Sequence, residues 1–202
     1  MHEQKVSGVT AHRVAAFSDG VIAVIMTVMV LELKAPDNSA LSDLWPLWPT
    51  VISYTVSYLF IAIIWINHHH LMWFVAGPPT LRLIWMNFAH LFMVSFLPFA
   101  TAWVARTQLA SAPVAVYAAL FVCVDIAYNV FERDVLAQAH ARHVSDRARR
   151  MARRRSLAVL AIFATATIVA FVAPRLAFAL ICGALLLHVR PEAPGSTWAK
   201  GT

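Results

Sequence analysis

Between Val21 and Leu31 the chain is aliphatic at nearly every position, yet Arg13, Ser18 and Asp19 stand just upstream in the same stretch. Apolar runs of this kind recur at about 14–33, 46–66, 83–105, 113–131, 157–172 and 176–189, each broken by Pro, Gly or charge. Residues of the AVILMFWYC class make up 60% of the 202 positions and charged residues only 13%, too little polar surface for a water-soluble domain. The expected fold is an all-α, polytopic membrane protein with six transmembrane helices. The last two runs are shorter than the ~20 residues that cross a hydrocarbon core, and only Pro174-Arg175 parts them, so a tilted or re-entrant hairpin is the alternative to two spans there.

Charge orients the spans. With six of them both termini share one side of the membrane with the loops after spans two and four, and that side carries all of the 16 Lys and Arg except Lys34, Arg106 and Arg175. Positive charge collects on the cytoplasmic side, so both termini are expected in the cytoplasm, in a multi-pass plasma-membrane protein. The net charge of +6 then reflects topology and contact with anionic lipid, and no nucleic-acid partner is expected. One membrane domain covers 1–190, a basic cytoplasmic segment falls at 132–156 between spans four and five, and 191–202 forms a cytoplasmic tail. The polar N-terminus and Asp19 argue against a cleavable signal. Cys123 and Cys182 lie inside apolar runs and read as buried thiols, with neither disulfide nor metal spacing.

A helical wheel sharpens the first span. At about 100° per residue and with Val24 at zero, Phe17, Gly20, Val28 and Leu31 fall within about 40° of Val24, Thr27 lies about 60° off, and Asp19 about 140° away. A carboxylate inside a span costs roughly 2.5–3.5 kcal/mol near the centre, so Asp19 needs a partner on a neighbouring helix. The stripe opposite it then faces either lipid or copies of itself around an axis.

Arg13-x-x-x-Phe17-Ser18-Asp19-Gly20 followed by an aliphatic span resembles the RxxxFSDG signature of the transmembrane protein 175 potassium channels, in their short bacterial form with six spans per subunit. The second-span sequence Trp65-Ile66-Asn67-His68-His69-His70 is similar to that form as well. The resemblance implies a homotetramer whose four first helices line the pore, with permeating K⁺, no cofactor and no re-entrant selectivity loop. No TVGYG-type carbonyl filter occurs in the sequence. Carried over by position, the resemblance puts the narrow ring on Val24, a hydroxyl or aliphatic layer on Thr27 and Val28, and a further apolar ring on Leu31. Val24 stands where the family more often has Ile or Leu, and its smaller side chain widens that ring. The resemblance also implies a structural polar network in which Arg13 and Asp19, with Phe17 and Ser18 of the same motif, meet Trp65, His68 and Asn67 of the second span. Arg13 and Asp19 are about 240° apart on the helix and cannot pair directly, and the wheel by itself sets Arg13 on the stripe. Gly20 in this reading permits close helix approach.

Other polar residues are weighed against plainer roles. His68, His69 and His70 point about 100° apart in turn, so three cannot converge on one ion, and no metal site is expected. Asp125 with Asn129, and Asn87 with His90, sit at helical spacing inside spans and suit interhelical hydrogen bonding. Ser53 and Ser57 share a packed face, and Trp45, Trp48, Trp73 and Trp103 stand near span ends as an aromatic belt would. The leading function is a potassium-permeable channel closed by hydrophobic rings. The alternative is a proton channel or proton-coupled carrier using Asp19, His68 and Asp125 as a relay. An enzyme is not expected, since no nucleophile–base pair or metal-ligand spacing is present.

Overall fold

A computed structural model describes residues 9–37, 39–75, 77–138 and 146–189. Among them the secondary structure is all helical: α1 (Ala11–Leu31), a short 3₁₀ segment (Leu41–Leu47), α2 (Trp48–Met72), α3 (Leu81–Val94), α4 (Leu97–Arg106), α5 (Ser111–Gln138), α6 (Asp146–Val169) and α7 (Pro174–Val189). Thr10 caps α1, its hydroxyl accepting from the Arg13 amide, and Thr80 caps α3 in the same way through Leu83. The Pro at position 49 falls in the first turn of α2, where its missing N–H is harmless.

The third apolar run, expected as one helix over 83–105, is two. The α-helical path breaks at Ser95–Phe96, and α4 resumes with Pro98 in its first turn. Pro98 has no N–H to give to the preceding turn, and its ring crowds that turn's carbonyl, which ends α3 there. Together α3 and α4 still form one apolar stretch, Leu81–Arg106. A tight turn at Gln108 and Leu109 follows, both with positive φ (53° and 63°), and the Leu109 amide donates back to the Val104 carbonyl. Leu109 is buried, so core packing offsets the cost of that backbone conformation.

Four stretches are long and apolar enough to cross a membrane, and the apolar parts of α6 and α7, Ser156–Val169 and Pro174–Leu186, are shorter. They form a hairpin that lays Phe163, Ala166 and Ile181 into the core. Helix α6 begins at Asp146, ten residues ahead of its apolar part, and α5 continues to Gln138, so much of the basic 132–156 segment is helical extension. Residues 139–145 of that segment and the 191–202 tail lie outside the described residues.

Helix α5 is the centre of the bundle, packing on α2, α3, α4, α6 and α7. Its Phe121 stacks on Phe60 of α2 (3.9 Å, 14°) and meets Phe163 of α6 edge-on (5.1 Å, 74°). By contrast α1 packs on α2, α3 and α4 alone among its larger contacts. Of the four long stretches it is the least covered, with 28% of its apolar window buried against 50% for Leu81–Arg106. An apolar helix at the edge of the bundle has a face left for lipid or for another copy.

Candidate functional site: the first helix and its polar anchor

The buried side of α1 is the row Val14, Ser18, Ile22, Ile25 and Met29, spaced at three and four residues. The opposite side carries Val24, Val28 and Leu31, 60%, 42% and 78% exposed in the single chain, with Thr27 exposed beside them. Phe17 continues this side and packs edge-on against Phe88 of α3 (5.3 Å, 67°). Thr27 donates its hydroxyl proton to the Val24 carbonyl one turn back (2.8 Å), leaving the oxygen lone pairs unused by the helix. Gly20 is exposed, and a Cβ there would meet nothing within 4 Å. The close approach that glycine permits is therefore not made inside the chain.

Two consecutive polar residues hold the helix from two sides. Ser18, fully buried, donates to the Val14 carbonyl (2.9 Å) and accepts from Asn87 Nδ2 of α3 (2.9 Å). The other end of that amide, Asn87 Oδ1, lies 2.8 Å from His68 Nε2 of α2. A carbonyl oxygen only accepts, so in this orientation of the amide Nε2 of His68 is the donor. One residue on, Asp19 turns toward α2, where Trp65 Nε1 donates to Oδ1 at 2.8 Å. Adjacent residues point about 100° apart, so Ser18 and Asp19 reach two different neighbours and together set the rotation of α1 about its own axis.

The remaining residues of the expected network lie elsewhere. Arg13 is exposed at the start of α1, and its guanidinium has no hydrogen bond or ion pair among the described residues. Asn67 is half-buried and turned to α5, lining a small pocket with Asp125 and Tyr128. The three consecutive histidines diverge: His68 is buried, while His69 and His70 are exposed, with Trp65 stacked on His69 (5.6 Å). No described hydrogen bond joins Asp19, His68 and Asp125, which are held respectively by Trp65, by Asn87 and in the α2–α5 pocket.

Asn87 is the residue that periodicity undervalues. Its spacing to His90 marks it as polar and in-span, but which helices it joins depends on their packing. A second polar chain, Thr101–Ser57–Tyr117 (2.7 and 2.6 Å), ties α4, α2 and α5 near the other end of the bundle. Ion pairs mark both ends: Arg82 with Asp134 (2.9 Å) between α3 and α5, and Arg106 with Glu32 (2.7 Å) between α4 and the end of α1.

Comparison with known proteins places this arrangement. A family model described as endosomal/lysosomal potassium channel TMEM175 matches residues 13–98, which hold the whole anchor. A potassium channel of Chryseobacterium sp. is 39% identical over 127 residues, covering 63% of this chain and 66% of its own length. A potassium channel of Chamaesiphon minutus is 34% identical over 149 residues, covering 66% of this chain and 73% of its own. The crystal structure of a lysosomal potassium-selective channel TMEM175 homolog from Chamaesiphon minutus superimposes with a TM-score of 0.76 at 26% identity, over 88% of this chain and 95% of that one. The chain therefore belongs to the TMEM175 family, a family of multi-pass membrane ion channels and not of enzymes.

Proposed function

We propose that the chain is a potassium-permeable channel, in which four copies assemble so that α1 of each lines a common axis. The observation that carries this reading is the two-sidedness of α1. Its polar residues Ser18 and Asp19 are bonded into its own subunit, while Val24, Val28 and Leu31 form an uncovered aliphatic stripe on the other side. The names of the bacterial relatives, potassium channels of Chryseobacterium and Chamaesiphon, support the same ion.

In this account Val24, Val28 and Leu31 form stacked apolar rings. Such rings offer an ion no ligands, so water and K⁺ pass only when the bore keeps a partial hydration shell, and a small rotation of the helices dries it. The anchor through Ser18 and Asp19 controls that rotation. Thr27 adds oxygens beside the Val24 ring, since its proton is committed to the backbone and its lone pairs are not. K⁺ sheds part of its shell more cheaply than Na⁺, which gives modest selectivity without carbonyl cages. The termini are cytoplasmic in the plasma membrane, and the basic segment over 132–156 meets anionic headgroups.

The test is reconstitution. Purified protein in liposomes with an outward K⁺ gradient should pass K⁺ well above protein-free vesicles, and the mass of the solubilised particle should correspond to four chains. Vesicles as tight as the protein-free control, or a monomeric particle that conducts, would overturn the reading.

A further inference from the structure

Asn67 lies between Trp65, which bonds Asp19 of α1, and His68, which bonds Asn87 of α3, yet it faces the other way. Between α2 and α5 it borders a pocket of about 20 Å³, with Asp125 and Tyr128 as the other polar walls and Phe60, Ile63, Ile64 and Val124 as the apolar ones. Asp125 is only 7% exposed, and its Oδ2 is buried with no hydrogen-bond partner among the described residues. The side chain of Asn67 makes no hydrogen bond among the described residues. One turn further along α5 the polar group is satisfied: Asn129 donates to the Asp125 carbonyl (2.7 Å) and accepts from Ser156 of α6 (2.8 Å).

A lone carboxyl oxygen inside a span is costly unless something donates to it. Empty cavities are expected where the lining is apolar, whereas a polar void above about 10–15 Å³ has room for one water, which wants two to four partners. This pocket passes on size and offers a carboxyl oxygen and an amide. A bare monovalent or divalent cation would require several more oxygens than one carboxyl and one amide supply.

We propose that the pocket is a hydration site holding one buried water, which donates to Asp125 Oδ2 and bonds the side-chain amide of Asn67. The water fastens the 65–68 stretch of α2 to α5 from behind while Trp65 holds α1 and His68 holds α3 from the front. The site lies inside one subunit, so it stands or falls separately from the pore reading.

The deciding experiment is a high-resolution map of the full chain in lipid nanodiscs, for the native protein, Asp125→Asn and Asn67→Leu. The native map should show one peak at about 2.6–3.2 Å from both Asp125 Oδ2 and the Asn67 amide. Asp125→Asn should keep the peak, because its amide still bonds a water, and Asn67→Leu should lose it by filling the space. An empty native pocket, Asp125 Oδ2 bonded directly to protein, or a peak that strengthens when Tl⁺ replaces K⁺ would each overturn the proposal. Persistence of the peak in Asn67→Leu would do the same. If Asn67→Leu does not fold, the native and Asp125→Asn maps still decide.

Discussion

Trp65 Nε1 donates to Asp19 Oδ1 at 2.8 Å, so the one carboxylate of α1 is turned into its own subunit, away from the stripe that carries Val24. The neighbouring Ser18 is taken by Asn87 of α3. A helix gripped at two successive residues by two different helices cannot turn freely, which is what a row of rings narrow enough to exclude water requires.

Replacing Trp65 with Phe removes the donor and keeps the ring. Interhelical hydrogen bonds in membranes are worth about 0.6–1.7 kcal/mol, so the expected outcome is a modest loss of thermal stability. The account also expects altered resting K⁺ leak, because α1 gains rotational freedom. Leak and stability both equal to the native protein would show that Asp19 is not held by this bond.

Asn87→Leu should be more damaging. It strands Nε2 of the fully buried His68, leaves buried Ser18 with only its bond to the Val14 carbonyl, and an unsatisfied buried polar group costs about 1–3 kcal/mol. A melting curve of the solubilised protein should show a far larger shift than Trp65→Phe. Equal shifts would mean the Ser18–Asn87–His68 chain is replaceable.

The Glu32–Arg106 pair sits at the far end of α1 and is solvent-accessible on both sides. Exposed ion pairs are worth about 0.2–1 kcal/mol, so a Glu32→Gln and Arg106→Gln double-mutant cycle on thermal stability should give coupling in that range, shrinking with salt. Coupling of several kcal/mol would mark the pair as a structural lock.

Much of α1 was legible because one helix obeys one period. Setting Val24 at zero places Asp19 on the far side without knowledge of any neighbour, and the exposed and buried rows of α1 divide along that line. Partners were harder, since a period says which residues share a face and not what that face meets. Asn67 turns to α5 although its neighbours Trp65 and His68 turn to α1 and α3, because successive residues on a helix diverge by about 100°. The break at Ser95–Phe96 had a visible cause in Pro98, but the surrounding residues are uniformly apolar and read as one span. Arg13 near the helix start shows the limit of family likeness: its motif position is clear, while its guanidinium is unpaired among the described residues.

Thr27→Val keeps the shape of the side chain and removes its oxygen. The backbone loses only a local bond to Val24, so assembly should be unchanged. The K⁺ over Na⁺ permeability ratio should fall by about twofold or more, roughly 0.4 kcal/mol of discrimination. An unchanged ratio would remove the hydroxyl from the selectivity account.

The most direct test concerns the position of Val24. In a background with Cys123 and Cys182 replaced by serine and alanine, Val24→Cys protein reconstituted in liposomes would be treated with a charged thiol reagent during K⁺ flux. If four first helices meet around the conduction path, modification should abolish most of the flux, while the same treatment of the cysteine-free background has no effect. Full labelling of the Val24→Cys protein with K⁺ flux unchanged would contradict the account, because it would put that residue in water but away from the conduction path.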